Sequence, residues 1–117
     1  NKTVDSVLSD NHLSKRLVSL LRLGIPLSNA LKITVLGSKF PALDSLHLPH
    51  APKYRKPEVL ASELEIIQLE YESLRLARKQ AEKRGLSAIE SKLRTKIASR
   101  AKLIATYKRI FSTRLVE

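Results

Sequence analysis

Arg84-Gly85-Leu86-Ser87-Ala88-Ile89-Glu90 is the stretch on which the fold turns. Glycine enters the left-handed backbone region without a Cβ penalty, so Gly85 is placed to end one helix and Leu86 to fold back on it. Ser87 and Glu90 then form Ser-x-x-Glu, the capping box in which each side chain takes a backbone N–H of the next helix's first turn. A stop and a start three residues apart predict two helices joined by a tight turn at 85–87.

The flanks agree. Upstream, Leu60, Leu64, Ile67, Tyr71 and Leu74 recur at spacings of 4, 3, 4 and 3, a seam widened by Val59, Ile66 and Leu76. Pro57 suits a first helical turn, and Glu58, Glu63 and Glu65 suit the positive end of the helix dipole. Downstream, Ile89, Leu93, Ile97, Ile104, Tyr107, Phe111 and Leu115 fall in one narrow stripe. Each arm is about 27 residues, or ~40 Å at the helical rise. Equal arms and matching stripes specify a long antiparallel, coiled-coil-like helical hairpin over residues 58–117.

Two further segments precede it. Residues 37–57 form a Pro-rich, basic, extended connector: Pro41, Pro49, Pro52 and Pro57 each remove a backbone donor and disfavour helix in the residue before. Residues 1–36 read as short helices. Asp10 or Asn11 can cap a helix carrying Leu13, Leu17, Leu20 and Leu21, which Gly24 stops. A second runs from Leu27 or Ser28 to Leu36, although its β-branched Ile33-Thr34-Val35 also admits a strand. The fold class is therefore all-α.

Composition bounds the function. A chain of 117 residues makes one domain at most, with an aliphatic core, since it has five aromatics and no Trp. Cys is absent, which removes disulfides, thiolate metal sites and Cys nucleophiles. Three glycines leave no phosphate-cradling loop, no Ser sits in a nucleophile elbow, and His47-Leu-Pro-His50 lacks a supporting ligand set. The reading is of a non-enzyme with no metal and no cofactor. No apolar run approaches the ~20 residues of a membrane-spanning helix. With Asn1 at its start and no Met anywhere, the sequence reads as a processed or partial chain. The acid-free composition of 11–43 is that of a mitochondrial presequence. It makes the mitochondrial matrix one expected location, the cytoplasm or nucleus the other.

The net charge of +11 decides the partner class. Residues 58–72 hold five acids and no base, and residues 100–116 hold five bases and no acid. With the turn centred on Leu86, Glu72 comes level with Arg100, Glu70 with Lys102 and Glu63 with Arg109. The open half is thus expected to neutralise itself across the arms. The turn half is not: Arg75, Arg78, Lys79, Lys83, Arg84, Lys92, Arg94 and Lys96 face only Glu82 and Glu90. Uncompensated charge repels itself unless a polyanion meets it. The connector adds Lys53, Tyr54, Arg55 and Lys56, with Tyr54 free to stack on an exposed base.

There is no zinc-finger, basic-zipper or aromatic-sheet reading unit, and Pro26 weakens a helix-turn-helix over 13–36. A basic tip and a basic crossing suit folded RNA recognised by shape and phosphate. Small basic ribosomal proteins are similar in composition, though no motif ties the chain to one of them. The expected function is a structural RNA-binding subunit of a large ribonucleoprotein, a ribosome or mitochondrial ribosome, docked on neighbouring proteins through its Leu-rich parts. The alternative is a hairpin that packs into a multiprotein complex with its tip against an acidic partner.

Overall fold

The computed structural model describes residues 2–37 and 56–116, with side chains at 4–37 and 56–112. Most of the connector expected over 37–57, with Lys53, Tyr54, Arg55, His47 and His50, lies outside the described residues. Five helices occur: α1 (Lys2–Ser9), α2 (Asn11–Arg22), α3 (Leu27–Gly37), α4 (Pro57–Arg84) and α5 (Ser87–Val116), with no strand among the described residues. The all-α reading holds, and α4 and α5 pack along each other as the hairpin.

Pro57 opens α4 behind an extended Lys56 at φ −64°, ψ 145°, the conformation a proline favours in the residue before it. At the other end Gly85 has φ +69°. The Leu86 N–H donates to the Ala81 carbonyl at 2.9 Å and the Gly85 N–H to Glu82 at 3.2 Å. These two bonds are the Schellman closure. Leu86 folds back through its N–H, and the residue is 41% exposed.

The capping box does not form. The Glu90 N–H donates to the Leu86 carbonyl at 2.9 Å, so Leu86 is the cap and Ser87 already lies inside α5. The Glu90 carboxylate is held by Arg78 and Arg94 instead. Charge-assisted bonds to two guanidiniums outweigh one bond to a neutral N–H.

The amino-terminal helices use the same devices. Asp10 caps α2, accepting from the N–H groups of His12 at 2.9 Å and Leu13 at 3.2 Å. Gly24, at φ +93°, ends it with a second Schellman pair, Ile25 N–H to Leu20 and Gly24 N–H to Leu21. The Ile33-Thr34-Val35 run is helical, not a strand. Ile33 and Thr34 are fully buried, and the Thr34 hydroxyl donates to the Ala30 carbonyl at 2.7 Å. Burial of that face outweighs β-propensity.

Two cores result. One, at the open end of the hairpin, gathers Leu60, Ile66, Ile67 and Tyr107. The other joins Leu17, Ile25 and Ala30 of the amino-terminal layer to Leu74, Ala77 and Leu93 of the turn half. The amino-terminal helices therefore sit on the hairpin, with α3 against α4 and Asn29 Nδ2 donating to Ser73 Oγ at 3.0 Å. This second neighbour rotates the buried face of α4. Glu63, Glu70, Ser73 and Ala77 are buried, whereas Leu64 and Tyr71 of the expected seam are only half-buried.

The cross-arm register differs from the level pairing expected around Leu86. Arg100 Nη2 meets Glu70 Oε2 at 2.8 Å, not Glu72. Helical phase decides: Glu72 lies about 200° around the axis from Glu70 and is exposed, while Glu70 shares the inward face with Glu63 and Ser73. Glu72 and Lys102, both exposed, make no ion pair among the described residues.

Candidate nucleic-acid interface

The eight basic residues expected at the turn half separate into two groups by what they touch. Arg78 reaches across the turn to Glu90 of α5, and Arg94 holds the same carboxylate from within α5. Arg78 Nε lies 3.0 Å from Glu90 Oε1 and 3.5 Å from Glu82, and Arg94 Nη2 lies 2.9 Å from the same Glu90 oxygen. Glu90 is thus the anion of a three-residue clasp across the turn. The Arg94 hydrogen bond lowers its pKa below the usual glutamate range, Arg78 adds to this, and partial burial opposes it.

The second group has no such task. Lys79, Lys83, Arg84, Lys92 and Lys96 are exposed and make no ion pair among the described residues. Lys79 and Lys83 stand one turn apart on α4, Lys92 and Lys96 one turn apart on α5, and Arg84 lies beside Gly85. The side chains at Lys79 and Lys83 point away from the packed Ala77 and Ala81, which sit about 200° around the helix. Arg75 is exposed with its guanidinium 5.7 Å from the Tyr71 ring centroid, a cation–π contact that leaves its charge uncompensated. Lys56 is exposed at the far end, at the start of α4.

Part of the open half treats charge in the opposite way. Glu63 and Glu70 are drawn inside at 0% and 5% exposure, and Arg100 follows Glu70. Lys83 and Arg84 also occupy the last turn of α4, where cations complement the helix dipole. Lys79, Lys92 and Lys96 have no such local reason for their charge.

What the sequence did not disclose is that one flank of this basic half is already covered by protein. Ser73, Ala77 and Ala81, small residues four apart, are the signal: they let α4 approach the amino-terminal layer closely. Gly24 shows how close, since a Cβ there would lie 3.8 Å from the Ala77 Cβ. Exposed cations are therefore confined to the perimeter that this layer leaves open. Among the described residues no group of His, Asp and Glu side chains could hold a metal, and no helix is long and apolar enough to cross a membrane. Comparison with protein-family models, with characterised proteins and with solved structures finds no match to this chain.

Proposed function

We propose that the chain is a non-enzymatic, structural RNA-binding subunit of a large ribonucleoprotein, a ribosome or mitochondrial ribosome, that presents its hairpin turn to RNA phosphates. One observation carries the reading. The open half balances its five acids with five bases and buries Glu63 and Glu70 with Arg100 on Glu70, yet the turn half leaves Lys79, Lys83, Arg84, Lys92 and Lys96 exposed and without an ion pair. Five exposed cations at one end suit a polyanion of irregular shape, whose phosphates need neutralising and whose bases need not be read.

The test is binding of a stem–loop RNA by the wild type and by the Lys79/Lys83/Arg84/Lys92/Lys96→Ala variant. Arg78 and Arg94 are left intact because they hold Glu90 at the turn. With about five phosphate contacts, wild-type affinity should fall on the order of a hundredfold between 50 and 200 mM salt. The variant should bind weakly with a shallow salt slope. Equal, salt-insensitive binding by both proteins refutes the proposal.

A second reading has its own support. Leu76 and Leu86 are 50% and 41% exposed in the same half, as a surface docking on an acidic protein would require. Loss of a protein partner from Leu76→Ser, with RNA affinity unchanged or absent, would favour it.

A further inference from the structure

An open cleft of about 500 Å³ separates α2 from α5, within the size range of small-ligand sites. It exists because α2 packs on α1 and α3, so that part of α4 is left as a floor. Leu74 of that floor and Leu20 and Leu23 of the α2 wall make the lining aliphatic there. The α5 wall carries Lys96 and Ser99. Lys96 is exposed without an ion pair, and the half-buried Ser99 hydroxyl has no hydrogen-bond partner among the described residues. Neighbouring hydroxyls are occupied: Ser19 donates to the Lys15 carbonyl and Thr95 to the Ser91 carbonyl. Deeper in the cleft stands Arg100, fixed by Glu70 through Nη2, while its buried Nη1 makes no hydrogen bond.

A cation and a free hydroxyl at the mouth, an aliphatic lining and the Glu70–Arg100 pair at the back describe a site for an anion attached to a flat, partly polar body. Lys92, one turn from Lys96, extends the exposed cations of the turn into this mouth. We infer that the cleft takes one unpaired nucleotide, an inference that rests on the RNA-binding reading above. Lys96 and Ser99 hold its phosphate, the base lies on Leu20, Leu23 and Leu74, and its edge faces Arg100. A base inside a duplex is stacked and cannot enter, so the site selects unpaired RNA. A docking helix fits less well: the α5 wall, residues 95–100, is only about 9 Å long, less than two helical turns.

The experiment compares a stem–loop RNA carrying a fluorescent base analogue in its loop with a fully paired duplex of the same length. Wild type is expected to prefer the loop on the order of tenfold and to change the fluorescence of the analogue. Ser99→Phe, which fills the cleft, should abolish both effects while leaving duplex affinity unchanged. Because a phenylalanine there could disturb packing, its melting curve is recorded, and Ser99→Ala serves as the milder variant, reducing loop preference about threefold. Equal binding of loop and duplex by wild type overturns the inference but not the phosphate-binding turn, as does a fluorescence change that survives Ser99→Phe. Binding of neither RNA overturns both readings. An acidic amphipathic peptide that binds wild type but not Ser99→Phe, and excludes the loop, overturns the nucleotide and gives the cleft to a protein.

Discussion

Replacing Arg100 with Met removes the cation from a carboxylate that the fold has already taken out of water. The side chains of Glu70 and Arg100 are 6% and 12% exposed and meet at 2.8 Å, deep between the arms. Breaking a buried pair by removing one partner costs about 3–5 kcal/mol, because the remaining charge keeps its desolvation penalty. Replacing both partners with apolar residues is close to neutral, because the penalty disappears with the charges. Domains of this size are stable by only about 5–15 kcal/mol. Arg100→Met should therefore remove a large fraction of the total and lower Tm by at least ~12 °C, at 4–8 °C per kcal/mol. The Glu70→Leu/Arg100→Met double variant should recover most of that loss.

Urea and thermal unfolding followed by far-UV circular dichroism measure both quantities, and a double-mutant cycle isolates the coupling. Glu72→Gln is the informative control. A register read only from distance to the turn pairs Glu72 with Arg100, whereas helical phase points Glu72 at solvent. Its substitution should change stability by less than ~0.5 kcal/mol. If Arg100→Met cost under about 1 kcal/mol, or if Glu72→Gln matched it, the buried pair would not be what sets the register.

The remaining predictions concern the turn and its clasp. Gly85→Val should cost about 1–2 kcal/mol from the backbone alone, since φ is +69° and no atom lies within 4 Å of an added Cβ. Gly85→Asn, which tolerates that region, should lose clearly less, and equal losses would count against a left-handed Gly85. The lowered pKa of Glu90 has a definite sign. Its folded value lies below its unfolded one, so the clasp contributes fully above the ordinary glutamate range and is lost as pH falls through the folded value. Wild type should therefore exceed Glu90→Gln in stability near neutral pH, and urea titrations should show the gap closing in acid. A gap that widened in acid would contradict the clasp.

The hairpin was legible because local signals agreed: Gly85 supplies the only cheap route through a left-handed residue, and apolar residues at helical spacing flank it on both sides. The short helices were legible for the same reason, through Asp10 and Gly24. Three features were not. The capping box failed because Ser-x-x-Glu records only local geometry, and Glu90 was claimed by Arg78, twelve residues away. The pairing of Arg100 was misassigned because counting from a turn gives height along a helix but not direction around it. The buried Glu63, Glu70 and Ser73 look like a solvated face in sequence. They become interior only when α3 occupies the second side of α4, a tertiary fact announced by nothing louder than Ser73, Ala77 and Ala81. The cleft beside them is the gap left where α2 turns aside from α5, and no single segment encodes it.

The free cations bear on function only if the fold itself does not need them, and that can be separated from RNA. Lys83 and Arg84 lie in the last turn of α4 and gain from the helix dipole, so their presence has a local reason. Lys79, Lys92 and Lys96 pair with nothing among the described residues and sit in the same half as five other basic residues, Arg75, Arg78, Lys83, Arg84 and Arg94. Their mutual repulsion should weaken the folded state. Lys79/Lys92/Lys96→Gln should therefore melt higher than wild type at low salt, and the two should converge toward 1 M salt, where the Debye length is only ~3 Å. The same variant should bind the stem–loop RNA more weakly. Residues that lower stability while raising affinity for a ligand are retained for the ligand. If instead the substitutions lowered Tm at every salt concentration, these lysines would be part of what holds the hairpin together, and the charge around its turn would no longer argue for a polyanion.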